Sequence, residues 1–155
     1  MFVRRFFLGL AVLTGIALMS HSSAFAQGSP LFAVLNGGNE VSAAGQARAG
    51  DLDGFGSATV TLSNITSISA TLCFAILVSG IDAATAAHIH RGRSGVNGGI
   101  VVNLIAPVGN PGRSTGCVNI TNMTLVAQLR ATPAEFYVNV HNGPFPNGAL
   151  RGQLF

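Results

Sequence analysis

Charged residues are scarce in this chain: they make up 8% of its 155 residues, and lysine is absent. The absence of lysine excludes a phosphate-binding loop of the Gly-rich, Lys-containing type. No Gly-x-Ser-x-Gly nucleophile elbow is present either. Beyond the first 26 residues, six arginines stand against five acidic residues, which leaves a net charge of +1. So small a charge cannot neutralise a row of phosphates, and the composition therefore disfavours nucleic-acid binding.

Long apolar segments are also missing, except at the N-terminus. There, Arg4 and Arg5 precede an apolar run over residues 6–18, and Ala24-Phe25-Ala26 forms a small-residue cleavage pattern. These parts in this order are typical of a secretory signal peptide. The run is shorter than the roughly 20 residues that span a bilayer. We therefore predict a signal peptide over residues 1–26 and a secreted or periplasmic domain over residues 27–155, with no membrane attachment after cleavage.

Glycine and asparagine recur throughout residues 27–155, and the few charged residues offer little material for long amphipathic helices. This composition predicts short strands separated by turns. One short helix is expected after Thr121 or Asn122, ending before Pro133. The fold class is predicted to be all-β, an antiparallel β-sandwich or Greek-key barrel. Its eight strands are expected near residues 31–35, 56–62, 68–78, 86–91, 100–105, 116–120, 135–142 and 150–155.

The chain contains two cysteines, Cys73 and Cys117, and both lie in the predicted mature part. An exported compartment permits them to form a disulfide, which is the interpretation we favour. A bond closing their 44-residue separation would contribute about 4 kcal/mol on the chain-entropy model. The alternative is a pair of metal thiolates or a redox couple, although neither cysteine belongs to a Cys-x-x-Cys motif.

Three histidines follow residue 26: His88, His90 and His141. The spacing of His88 and His90 places both imidazoles on one face of a predicted strand, opposite Ile89. Two such rings can bind one metal ion, and His141 could supply a third nitrogen if its strand lies alongside. Imidazole ligands suit copper or zinc. The alternative is that these histidines lie on a solvent-exposed face or hydrogen-bond to loops.

Arg151 follows a turn-rich segment that connects its strand to the strand of His141. The turn would return Arg151 to the neighbourhood of that histidine. An arginine near a metal could steer an anion toward it. A role in hydrogen bonding between strands is the alternative, and it is the one we favour.

Four segments of the chain together resemble the CHRD domain, which is named after the extracellular protein chordin and is found in many exported microbial proteins. The resemblance extends over most of residues 31–155, although the usual Glu-Val-Pro-Pro opening is here Glu40-Val-Ser-Ala43. It implies an extracytoplasmic domain without supplying a mechanism. The matching segments are Ala87-His-Ile-His-Arg-Gly92, Gly95-Val-Asn-Gly98, Phe136-Tyr-Val-Asn-Val-His-Asn142 and Pro146-Asn-Gly-Ala-Leu-Arg-Gly-Gln-Leu154.

A second resemblance is to copper-zinc superoxide dismutase, which has a β-sandwich fold. That enzyme holds copper with a His-x-His pair and a later histidine, and a late arginine guides the anion. The resemblance implies that His88, His90 and His141 are copper ligands and that Arg151 is the guide. The chain has no further histidine to bridge to zinc and no cluster for a zinc subsite, so it does not imply dismutase activity.

The leading hypothesis is an exported CHRD domain that binds one copper-type ion through the three histidines, with zinc as the alternative ion. Redox activity is an additional option, and the sequence does not decide whether the protein is an enzyme. The rival hypothesis is a non-catalytic extracellular adhesion or protein-interaction module. In that case the histidines and Arg151 would tie loops together by hydrogen bonds. The sequence identifies no protein partner.

Overall fold

The structure of the protein is a computed structural model that describes residues 28–155. The predicted signal peptide lies outside the described residues. Nine strands, one α-helix and two short 3-10 helices make up the described part. The strands are β1 (Leu31–Asn36), β2 (Phe55–Ser63), β3 (Ala70–Ser79), β4 (Ala84–Arg91), β5 (Ile100–Leu104), β6 (Val108–Gly109), β7 (Gly112–Ile120), β8 (Phe136–Asn142) and β9 (Leu150–Gln153).

All nine strands belong to one antiparallel sheet with the order β5-β4-β8-β9-β1-β2-β3-β7-β6. The sheet curls, because buried side chains from both of its halves form a single core cluster. Ile89 and Val138 come from one half, and Leu72 and Ile76 come from the other. The predicted all-β, antiparallel fold is therefore confirmed, and the curled sheet is consistent with the predicted sandwich or barrel architecture.

Alternation of small or polar residues with apolar ones creates this core. In β3, every second residue from Ala70 to Val78 is buried, whereas Thr71, Ala75 and Leu77 point to the other side. A strand exposes successive side chains on opposite faces, so one face of the sheet encloses the core and the other forms the outer surface. We call the second face the outer face of the sheet.

The helix α1 (Met123–Ala131) lies where the sequence predicted it. The side chain of Asn122 caps its N-terminus by accepting a hydrogen bond from the backbone N–H of Leu125 at 3.0 Å. Leu125, Val126 and Leu129 are buried in the core cluster. A 3-10 helix (Pro133–Glu135) follows and leads directly into β8.

The predicted disulfide is present between adjacent strands on the outer face. Cys73 of β3 lies directly opposite Cys117 of β7, and their sulfur atoms are 2.08 Å apart. The alternatives of a thiolate metal site and a free redox couple therefore do not apply to this form of the protein. The largest differences from the predicted strands concern β7, which begins at Gly112 rather than near residue 116 and pairs with the two-residue strand β6, which was not predicted.

Candidate metal centre

The two strands that carry the histidines are neighbours in the sheet. His88 and His90 lie on the outer face of β4, because Ile89 between them is fully buried in the core. β4 pairs with β8 in a register that places Ala86 opposite His141 and His88 opposite Asn139. His141 is therefore the diagonal neighbour of His88, within the range at which long or aromatic side chains meet across strands.

The three imidazoles converge as the sequence predicted. Nδ1 of His88 is 3.1 Å from Nε2 of His141, and one nitrogen of each of the three rings lies within 4.8 Å of the others. Two nitrogens that each bind one tetrahedral ion at about 2.0 Å are roughly 3.3 Å apart. The closest pair is already near this separation. The widest pair would have to approach by only about 1.5 Å.

Backbone carbonyl groups fix the orientation of two of the rings. Nδ1 of His90 is 2.9 Å from the carbonyl oxygen of Gly98, and Nδ1 of His141 is 3.1 Å from that of Pro146. A carbonyl oxygen only accepts hydrogen bonds, so each Nδ1 carries the proton and donates it. Nε2 of each neutral ring is then left with a free lone pair. Histidine ligands of metals commonly donate their second ring N–H to a carbonyl group in this way.

The residues present fit a metal ion. Nε2 of His90 is buried and has no hydrogen-bond partner within residues 28–155. A buried polar atom without a partner costs about 1 to 3 kcal/mol, and a bound cation would remove this cost. Nε2 of His141 accepts a hydrogen bond from Nδ1 of His88 in the absence of an ion. His88 would have to release that proton from Nδ1 in order to bind through it.

The electrostatics of the cluster favour the neutral, ligating form of two rings. Desolvation by burial lowers the pKa of His88, and the neighbouring His141 and His90 lower it further. Desolvation is also the main cause that lowers the pKa of His90, against an opposing contribution from the hydrogen bond to Gly98. A metal ion competes with protons for imidazole, so lowered pKa values extend metal binding to more acidic pH.

Arg151 lies close to this cluster but does not point into open solvent. Only 1% of its surface is exposed. Its guanidinium group donates hydrogen bonds to Oδ1 of Asn97 at 3.1 Å and to the carbonyl oxygens of Arg93 and Val96 at 3.0 and 2.7 Å. The favoured sequence interpretation was hydrogen bonding between strands, whereas these three side-chain bonds all go to the segment that connects β4 to β5. The role of an anion guide stays a prediction.

Three residues of the site were not identified from the sequence. Tyr137 stacks on His90 with a ring-centroid distance of 4.8 Å and an interplanar angle of 8°. Gly98 and Pro146 contact the histidines through their carbonyl oxygens. Strand alternation does place Tyr137 on the same face as His141, which is a usable signal. No side-chain pattern marks a residue that acts through its backbone.

The comparisons with known proteins agree with this architecture. Residues 31–154 match the CHRD domain family, and the chain therefore belongs to that family. No curated protein and no solved structure was found to match the chain. The likeness to superoxide dismutase therefore stays a resemblance of motifs. Within residues 28–155, no helix has both the length and the hydropathy needed to cross a membrane.

Proposed function

We propose that this protein is an exported CHRD domain that binds one copper-type metal ion through His88, His90 and His141. The observation that carries the proposal is the convergence of one nitrogen from each ring within 4.8 Å. It is supported by the two carbonyl groups that hold His90 and His141 with Nε2 available. No acidic or thiol side chain belongs to the cluster in the described part of the chain.

The donor set favours copper over other divalent ions. Imidazole nitrogen suits both copper and zinc, and Cu²⁺ binds a given nitrogen site more tightly than Zn²⁺ does. Three protein ligands leave at least one coordination position for water or a substrate. His88 and His141 are only half-buried, so solvent reaches two of the side chains that would hold the ion. A bound copper ion would supply one-electron chemistry, while the chain's own residues orient the rings and keep His88 and His90 neutral.

Export is a further part of this proposal. Residues 1–26 have the sequence pattern of a secretory signal peptide. The Cys73–Cys117 disulfide fits an oxidising compartment, because structural disulfides persist in secreted and periplasmic proteins. The family to which the chain belongs is in keeping with an extracytoplasmic location. Cleavage before Gln27 can be checked by N-terminal sequencing of the protein recovered from the culture medium or periplasm.

Metal titration tests the proposal directly. Copper(II) or zinc(II) is titrated into the purified protein, and bound metal is measured after gel filtration by elemental analysis. We expect one ion per chain for the unmodified protein and a loss of stoichiometric binding for His88→Ala. Asn119→Ala, on the exposed face of β7, is the control and should bind as the unmodified protein does. Absence of metal uptake, or uptake that is indifferent to His88→Ala, would contradict the proposal.

An interaction module is the second candidate, and one surface supports it. Phe32, Val34 and Phe155 are 44%, 63% and 64% exposed, and the rings of Phe32 and Phe155 are 6.2 Å apart. Leu77 is exposed on the same outer face, two strands away. Exposed apolar groups of this kind are typical of protein-interaction surfaces. Phe32→Ser would weaken partner binding in this case and would leave metal uptake unchanged.

A further inference from the structure

The loop between β4 and β5, residues 92–99, lies over the outer face beside the histidine cluster. Its residue Gly98 makes two contacts that concern His90. The Gly98 carbonyl oxygen accepts the hydrogen bond from Nδ1 of His90 at 2.9 Å, and the Gly98 N–H donates to the hydroxyl oxygen of Tyr137 at 3.2 Å. Tyr137 in turn stacks on the His90 ring. His90 is therefore held by a ring on one face and by a carbonyl group at its edge.

Arg151 holds this loop in place. Its guanidinium carbon is 3.5 Å from the centroid of the Tyr137 ring, on which it makes a cation–π contact. The same group donates to the carbonyl oxygens of Arg93 and Val96 and to the side chain of Asn97. One planar cation thus joins the stacked ring to three residues of the loop, a geometry that a lysine ammonium could not reproduce.

Two more features leave the loop little freedom. Nδ2 of Asn97 donates to the carbonyl oxygens of Val41 and Ser42, at 2.9 Å each. A Cβ atom added at Gly98 would lie 1.4 Å from the carbonyl oxygen of Arg91, so only glycine fits there. The carbonyl group of Gly98 is consequently fixed relative to β4 through contacts that all come from outside the metal cluster.

We propose that Arg151 is a positioning residue for the metal centre. By fixing the β4–β5 loop, Arg151 aims the Gly98 carbonyl oxygen at His90 and so keeps the proton of that ring on Nδ1. Nε2 of His90, which is buried and has no hydrogen-bond partner within the described residues, then keeps its lone pair available for a metal ion. This inference rests on the proposed function, and it assigns to Arg151 a task that differs from steering an anion.

The test has two readouts that respond to different parts of the proposal. The tautomer of His90 is measured by ¹⁵N NMR of the imidazoles in the metal-free protein, and the dissociation constant for zinc(II) is measured against a competing chelator. The first variant, Arg151→Met, removes the guanidinium group. The second, Asn97→Ala, removes one of the hydrogen-bond acceptors of Arg151 from an exposed position in the loop. Arg113→Met, on the exposed face of β7, is the matched control.

We expect the metal-free protein to show His90 protonated at Nδ1. Arg151→Met should introduce the Nε2-protonated form and raise the zinc dissociation constant about 10- to 100-fold, the usual effect of losing an outer-shell partner. Asn97→Ala should shift both readouts in the same direction by less. Arg113→Met should leave both unchanged. If Arg151→Met does not fold, Asn97→Ala carries the test.

An unchanged His90 tautomer together with an unchanged zinc affinity in the folded variants would overturn the inference. An unmodified protein that binds no zinc or copper would instead overturn the proposed function. The tautomer measurement in the metal-free protein would still show whether Arg151 sets the state of His90. The two failures are therefore distinguishable.

Discussion

The outer face of the sheet has two halves that differ in composition and in covering. On β2, β3 and β7 the outward side chains are mainly serine, threonine and small residues, and they are exposed or half-buried. On β4, β8 and β9 the outward residues include His90, Tyr137, Asn139 and Arg151, and all four are buried although the core lies on the opposite face. We call these the open half and the covered half.

Loops cover this half of the outer face. Their hydrogen bonds compensate for the desolvation of the buried polar side chains. The β4–β5 loop bonds to Arg151, and the loop before β2 brings Glu40 to Asn139, whose Nδ2 donates to Oε2 of Glu40 at 2.9 Å. Glu40 is itself only 2% exposed. The difference shows that one sheet can stabilise itself by a disulfide on one half and by a buried polar network on the other.

Loss of the disulfide should have the largest effect on stability and should not affect the proposed metal centre. The Cys73→Ala, Cys117→Ala double variant should lower the free energy of unfolding by about 4 kcal/mol, because a 44-residue loop is released in the unfolded chain. Chemical denaturation measures the change. Zinc and copper uptake should be the same as in the unmodified protein, and a loss of uptake would show that the two halves are not independent.

Metal should stabilise the protein through the covered half. At a free zinc concentration 100 times the dissociation constant, the free energy of unfolding should rise by about 2.7 kcal/mol. Removal of the ion with a chelator should reverse this gain, as followed by the thermal midpoint. His88→Ala should abolish the gain, and an equal gain in that variant would place the ion elsewhere.

The buried polar network should be the next most sensitive feature. Asn139→Ala leaves the Glu40 carboxylate without its side-chain donor, and an unsatisfied buried group costs about 1 to 3 kcal/mol. Asn119→Ala on the open half should change stability by less than about 0.5 kcal/mol, since that residue is exposed. Equal effects from the two substitutions in urea denaturation would remove the distinction between the halves.

Acidification should destabilise the metal-free protein by the smallest amount. The folded-state pKa values of His88 and His90 lie below their usual value, so the unfolded chain binds protons first as the pH falls. Stability from this source is complete above about pH 6.5 and decreases below it, until the folded-state pKa values are reached. Urea denaturation at several pH values measures this slope, and a His88→Ala, His90→Ala double variant should have a shallower one.

The sequence predicted eight of the nine strands, a helix capped by Thr121 or Asn122, and the disulfide, because each has a local or compositional signature. Period-2 alternation placed Ile89 on the strand face opposite His88 and His90, and Ile89 is fully buried in the core. The sequence also predicted that the three histidines share a site, which required only that β4 and β8 be neighbours.

What the sequence did not predict depends on loops and on backbone atoms. The carbonyl groups of Gly98 and Pro146 act on the histidines without any side-chain signature. The burial of Tyr137 and Asn139 follows from loops that fold back over the sheet, and strand alternation alone would expose both residues. A two-residue strand such as β6 is too short to show the apolar–polar alternation that identifies a strand in the sequence.

His88 and His141 are 53 positions apart in the chain, and their meeting requires that β4 and β8 have already paired. In an unfolded polypeptide, His88 and His90 remain close to each other, whereas His141 is far from both. If the proposed site binds an ion, binding by all three histidines must follow folding, and the compartment in which the protein folds would then supply the ion. The cell could thus control metallation through the place of folding rather than through the affinity of the ligands.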